Sequence, residues 1–159
     1  MPDKRSAGLL LYRRTADGGT EVLIGHMGGP FWAGRSSAAW SIPKGEYGPD
    51  EPPEAAARRE FQEELGLAPP DGVAVPLGEV RQANGKLVTV WAVEADLDPE
   101  RVVPGTFAME WPPHSGTVRE FPELDRVGWF GFEAAAPLLV AGQQAFLERL
   151  AAYLGGPGT

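Results

Sequence analysis

The chain has 159 residues, the usual size of one domain, and 43% of them are hydrophobic, enough to build a core. The formal net charge of -8 and a pI of about 4.8 disfavour a general nucleic-acid coat, which needs many phosphate-neutralising Lys and Arg. With no cysteine, disulfides, thiolate metal sites and a Cys nucleophile are excluded.

In chain order, "SAGLLLYRR" and "EVLIGHM" read as two strands around the turn "TADGGT", so residues 6–27 form a hairpin. A loop of unusual composition follows at 28–39, carrying Trp32 and Arg35, and "WSI" is a short extended piece before Pro43. Glu54 to Leu65 reads as a helix, with Pro52 and Pro53 suited to its first turn and Gly66 to its end. Asn84-Gly85 reads as a type I′ turn between two further strands. "TFAMEW" (106–111) is a strand, "PPHSG" a loop and "RVGWFGF" a strand. "EAAAPLLV" is a short helix, and the terminal helix places Phe146, Leu147, Leu150 and Leu154 near one face. There is no internal repeat, low-complexity tail or linker, so residues 1–159 are expected to be a single domain. Hairpins interleaved with helices imply an α+β fold with a mixed sheet. No signal-peptide core follows the N-terminus and no stretch is long enough to span a membrane, so a cytoplasmic location is expected.

The helix beginning near Glu54 is unusually acidic. At about 100° per residue, Glu60, Glu63 and Glu64 share an arc of about 100°. Their wheel neighbours are Ala56, Ala57 and Phe61, while Arg58, Gln62 and Ala55 lie opposite. A merely solvated acidic face would lie opposite the apolar residues; this one lies beside them. Like charges at i, i+3 and i, i+4 repel, and more strongly near a core. A hard divalent cation removes that cost, and oxygen-only ligands suit Mg²⁺ or Mn²⁺.

The spacing around this helix runs Gly45, five residues, Glu51, seven residues, Arg59-Glu60, Phe61, any residue, Glu63-Glu64, any residue, Gly66 and Leu67. This resembles the signature of the Nudix hydrolase family at each of its defined positions. The resemblance implies a mixed sheet sandwiched between helices, with the signature forming a loop-helix-loop. It implies hydrolysis of a nucleoside diphosphate linked to another group, with Mg²⁺ (or Mn²⁺ in its place) held by Gly45, Glu60, Glu63 and Glu64. It further implies that Glu51 and Arg59 brace the loop and that Glu63 or Glu64 is the base.

Lys44 precedes the signature glycine in "WSIPKGE", which resembles members acting on dinucleoside polyphosphates or nucleoside triphosphates and suits a phosphate contact. In "REFPELDRVGWF", Glu123 fits the offset of an additional metal-binding glutamate, with Glu120 as runner-up. Trp32, Tyr47, Trp91, Trp111 and Trp129 are candidates for base stacking; Trp32, in the loop beside the signature, is preferred, with Arg35 as a further substrate contact. The plain alternative for each charged residue is a solvated side chain, and for each Trp the core. His26 and His114 are expected to be structural or exposed. The expected partner is a small-molecule nucleotide, with a homodimer as a family-level expectation. The expected activity is cleavage of a phosphoanhydride in a nucleoside triphosphate or dinucleoside polyphosphate. Alternatives are an ADP-ribose-type pyrophosphatase, a non-catalytic nucleotide sensor, and removal of phosphate from an RNA 5′ end. That last reading would need a basic patch drawn from Arg35, Lys44, Arg81, Lys86 and Arg119.

Overall fold

Strand β1 (Arg5–Arg14) is buried over most of its length, as its unbroken apolar run requires of a central strand. In the computed structural model, which describes residues 4–155, β1 organises everything around it. Its odd residues Ala7, Leu9 and Leu11 pack with Ala56, Ala57, Phe61 and Leu65 of helix α1 (Pro53–Leu65). Its even residues Leu10 and Tyr12 face the other way, into a second cluster. That cluster takes in Ala135 of α2 (Phe132–Leu138), neighbouring Leu139, and Phe146, Leu147 and Leu150 of α3 (Gln144–Gly155). The period-2 alternation of one strand therefore places helices on both faces of the sheet.

The sheet is mixed, as expected. Parallel to β1 runs β6 (Leu87–Glu94), which pairs antiparallel with β5 (Val75–Arg81). On its other side β1 has two partners. Its far end, Tyr12–Arg14, pairs with β2 (Thr20–Met27), while its near end, Ser6–Gly8, pairs with β4 (Lys44–Glu46). Beyond the hairpin β2 leaves β1 and pairs with β3 (Trp40–Ser41) at Gly25 and His26. Strands β1 and β2 thus form a fork, and the segment from Trp40 to Glu46 fills it. On its outer side β2 pairs with β9 (Leu124–Gly131). Strands β7 (Thr106–Glu110) and β8 (Val118–Pro122) make a separate two-stranded sheet.

Two local readings of the sequence are corrected. At the β5–β6 connection only Gly85 has a positive φ (+86°), so the turn is not type I′, which needs positive φ at both central residues. Gln82 accepts from Gly85 N–H at 2.8 Å and donates its own N–H to the Lys86 carbonyl at 2.9 Å, closing a three-residue loop. The Asn84 side chain accepts from Lys86 N–H at 2.9 Å, which holds Asn84 in place and leaves the left-handed position to Gly85. Strand β8 escaped the sequence reading because "VREFP" is charged and nowhere fully buried, so no core pattern marks it.

Helix α1 ends where Gly66 turns left-handed at φ +69° and returns its N–H to the Gln62 carbonyl at 2.8 Å. A Cβ on Gly66 would stand 2.3 Å from the Val103 carbonyl oxygen. Gly66→Ala is therefore expected to cost at least about 1–2 kcal/mol. Equilibrium urea unfolding checks this; an unchanged midpoint would show that the helix end can be rebuilt without glycine.

Candidate active site

Helix α1 crosses the sheet face beside β4, so its inner carboxylates meet the strand that carries the signature glycine. The fit is close. A Cβ at Gly45 would lie 2.0 Å from Glu60 Oε2, so only glycine lets the carboxylate reach the main chain there. The Glu60 side chain is 12% exposed, whereas that of Glu63 is 58% exposed.

Arg59 is the hub of the outer part of the site. Its guanidinium grips Glu51 with two hydrogen bonds, Nε to Oε2 at 2.7 Å and Nη2 to Oε1 at 2.8 Å. Its Nη1 donates to Glu60 at 2.8 Å and to Glu63 at 3.1 Å. Glu51 lies in the loop between β4 and α1, so this bidentate pair ties that loop to the helix. The Glu51 carboxyl is held below its usual range by the Arg59 hydrogen bonds, and Arg59 is held above its own, chiefly by the bond to Glu51.

The inner part is poorer in water. Burial pushes the Glu64 carboxyl up to about 8; the Lys44 ammonium offsets part of this shift, while Glu123 and Glu60 add to it. Burial likewise raises Glu60, against the opposing hydrogen bond from Arg59, and raises Glu123, against Lys44. The same burial lowers Lys44, although Glu64 favours its charged form. Desolvation thus outweighs attraction on both sides of the Lys44–Glu64 pair.

These groups open onto one cleft of about 610 Å³, large enough for a nucleotide. Glu60, Glu63, Glu64 and Glu123 line it, with Lys44 and Lys86 as its cations. Lys86 Nζ also bonds Glu46 Oε2 at 2.9 Å and holds that carboxyl below its usual range. Trp32 and Phe107 supply aromatic walls.

Glu123 lies between β8 and β9, and its main chain is fixed on both sides: its N–H donates to the Gly105 carbonyl at 2.8 Å and its carbonyl accepts from Gly28 N–H at 3.0 Å. The runner-up Glu120 sits on exposed β8 opposite Ala108 and does not line the cleft. Arg35 does not line it either; its guanidinium lies 6.0 Å from the Trp32 ring centroid. Trp129 donates to the Leu97 carbonyl at 2.9 Å beneath Arg13, and Trp91 and Tyr47 pack against the α1-side core. Trp111 meets Phe31 edge-on at 5.9 Å. Phe107 and Glu46 received no role from the sequence, and Lys86 only a place in the basic patch considered for an RNA 5′ end; only the pairing of β4, β1 and β6 brings Lys86 to Glu46.

Among the described residues no three acidic or histidine side chains already converge into a metal cage. Glu60 and Glu63 turn to Arg59, while Glu64 faces Lys44, so the set is drawn two ways by the protein's own cations. The donor chemistry nevertheless fits a hard divalent ion: the donors are all oxygens, and burial leaves Glu60, Glu64 and Glu123 in need of positive charge.

A family model described as NUDIX domain matches residues 2–150. The chain belongs to the Nudix family. Its fold and motif make it a Nudix pyrophosphohydrolase, and enzymes of this family use divalent metals such as Mg²⁺. Its fold is similar to a Caenorhabditis elegans Ap4A hydrolase in a binary complex, at 24% identity and TM-score 0.68, covering 96% of this chain and 98% of that one. It is also similar to the NUDIX domain of Shewanella oneidensis NrtR complexed with ADP ribose, at 15% identity and TM-score 0.64, over 97% and 90% of the two chains. A third Nudix structure, the hydrolase RenU of M. smegmatis, has 26% identity and TM-score 0.57, over 97% and 87%. No sequence among curated proteins matches significantly. No helix among the described residues is long and apolar enough to cross a membrane.

A metal ion taken by Glu64 would compete with a proton there. The carboxyl keeps its proton below about 8, against an ordinary value of 4.5, so a cation binding there at neutral pH must displace it. Affinity for Mg²⁺ is expected to rise with pH and level off above about 8. Calorimetry in two buffers of different ionisation enthalpy should show proton release at pH 7 and little at pH 9. Equal affinity and no proton release at pH 7 would show that no metal ion displaces a proton from Glu64.

Proposed function

We propose that this chain hydrolyses a phosphoanhydride bond in a nucleoside triphosphate or a dinucleoside polyphosphate. The observation that supports this reading is the shared cleft, which gathers five carboxylates, two lysines and two aromatic rings. In this reading Glu60, Glu63, Glu64, the Gly45 carbonyl and Glu123 hold Mg²⁺, for which Mn²⁺ can substitute. The bound cation supplies neutralisation of phosphate charge and acidification of a water. Lys44 and Lys86 take phosphate oxygens as point charges, and Trp32 and Phe107 take the base on their rings. Glu63 or Glu64 is the carboxylate that accepts the proton of the attacking water. Arg59 acts from behind, holding Glu60 and Glu63 to the β4–α1 loop through Glu51.

Two lysines on one wall favour a long phosphate chain, which offers them more oxygens than a diphosphate does and more charge to stabilise in the transition state. The second reading, an ADP-ribose pyrophosphatase, is supported by the NrtR domain, which was solved with ADP ribose.

A substrate panel with Mg²⁺ separates the readings: kcat/KM should be higher for ATP and diadenosine tetraphosphate than for ADP-ribose. Product chromatography in ¹⁸O-labelled water identifies the phosphorus attacked. Strong preference for ADP-ribose would replace the substrate class, and no turnover of any nucleotide would favour a binding protein. Glu63→Gln and Glu64→Gln should each lower kcat on the order of 10²-fold or more while the chain still folds. Near-normal turnover in both variants at saturating Mg²⁺ would remove these residues from the chemistry.

A further inference from the structure

His26 is 1% exposed on β2, yet both ring nitrogens are engaged. Nδ1 lies 2.7 Å from Asp125 Oδ1, and Nε2 lies 2.6 Å from the Arg35 carbonyl oxygen. A carbonyl can only accept, so Nε2 is the donor in that bond. The ring is held further by an edge-on packing against Trp40 at 5.5 Å. Its two polar partners belong to different parts of the site. Asp125 sits in a bulge of β9, where the register slips as His26 pairs with Arg126 and Met27 with Leu124. Glu123 lies two residues before it. Arg35 belongs to the largely exposed loop 28–39, whose ends are joined by Met27 N–H to the Ala39 carbonyl at 2.9 Å. Inside that loop Arg35 N–H donates to the Trp32 carbonyl at 3.0 Å. The residue whose carbonyl His26 holds therefore closes, through its own N–H, the turn that carries Trp32 to the cleft.

We propose that His26 is a positioning residue for base recognition, tethering the Trp32 loop to the bulge of β9 so that the Trp32 ring stands over the cleft. The proposal rests on reading the cleft as a nucleotide site. The loop is otherwise held near its ends, by Gly28 N–H to the Glu123 carbonyl and Ala38 N–H to the Pro137 carbonyl, each at 3.0 Å, and by the Phe31–Trp111 contact. The buried hydrogen bond to the Arg35 carbonyl restricts the exposed middle, removing conformations that would otherwise be lost on binding. The effect is on ground-state binding of the base, not on the carboxylates that act at the phosphate.

The test is a double-mutant cycle with ATP and Mg²⁺. His26→Phe keeps the ring volume but makes neither bond. Asp125→Ala removes the post to which the ring is tied and changes only a partly exposed side chain. Each is expected to raise KM roughly tenfold with kcat changed less than about threefold. In a Trp32→Ala background the same substitutions should raise KM less than about twofold, because the ring they position is gone. An equal rise in KM in both backgrounds, or a fall in kcat at unchanged KM, overturns the proposal. So does an unchanged KM in Asp125→Ala, which decides the matter if His26→Phe does not fold. An unchanged KM in Trp32→Ala alone overturns it too. If the wild type turns over no nucleotide, the proposed activity fails, and the same cycle is read from the Kd of α,β-methylene-ATP by calorimetry. Nucleotide binding that is insensitive to the cycle, or absent, then overturns the positioning role as well.

Discussion

The inner face of α1 carries more negative charge than the chain itself balances at that point, and the surrounding architecture can be read as ways of tolerating it. Arg59 neutralises the outer carboxylates and anchors them to Glu51 in the preceding loop. Lys44 stands among the inner ones, where burial costs it part of its own preference for charge. Both cations sit within the signature segment or beside it, so the helix and its entering strand form one electrostatic unit. Burial raises the carboxyl pKa values of Glu60, Glu64 and Glu123, because desolvation outweighs the attraction of Arg59 and Lys44 there. That is the condition in which a divalent ion, and then a phosphate chain, has most to offer.

The fork between β1 and β2 is what brings this unit to a cleft. A continuous β1–β2 ladder would leave no place for the segment from Trp40 to Glu46. Because the strands part after Tyr12–Arg14, β4 can lie against the start of β1, and Gly45 comes under Glu60. The outer edge of β2 pairs with β9 along its length, and Glu123, just before β9, lines the same cleft as the helix carboxylates. The helices α1 and α3 cover the two faces of the sheet around the fork, and α1 also supplies Glu60, Glu63 and Glu64 to the cleft.

The similar structures share this scaffold at 15–26% identity and differ in function by name, an Ap4A hydrolase in one and a domain complexed with ADP ribose in another. A common fold therefore does not choose the substrate, which depends on the groups around the cleft. In this chain those groups include Trp32 of the 28–39 loop, Lys86 at the β5–β6 end and Phe107 of β7. The buried His26 is notable because it joins the first of these to the strand that follows Glu123.

The sequence by itself determined the α1 carboxylate helix, its glycine ends, the β1 strand and the family, because each rests on local spacing. Helical periodicity places Glu60, Glu63 and Glu64 on one arc whatever surrounds them, and the turn at Gly66 is decided by backbone sterics within a few residues. The tertiary structure alone decided which distant residues join them. Nothing local to Lys86 announces Glu46, forty positions earlier, because a parallel β1–β6 pairing brings them together. Glu123 and Glu120 are alike in sequence context, and the end of β8 separates a carboxylate at the cleft from one on an open strand. His26 looked like any core histidine; its meaning came from two acceptors supplied by a bulge and a loop. Propensity and periodicity act over a few residues, whereas burial and charge compensation are settled by neighbours in space. The helix was therefore legible from its letters, and the site around it was not.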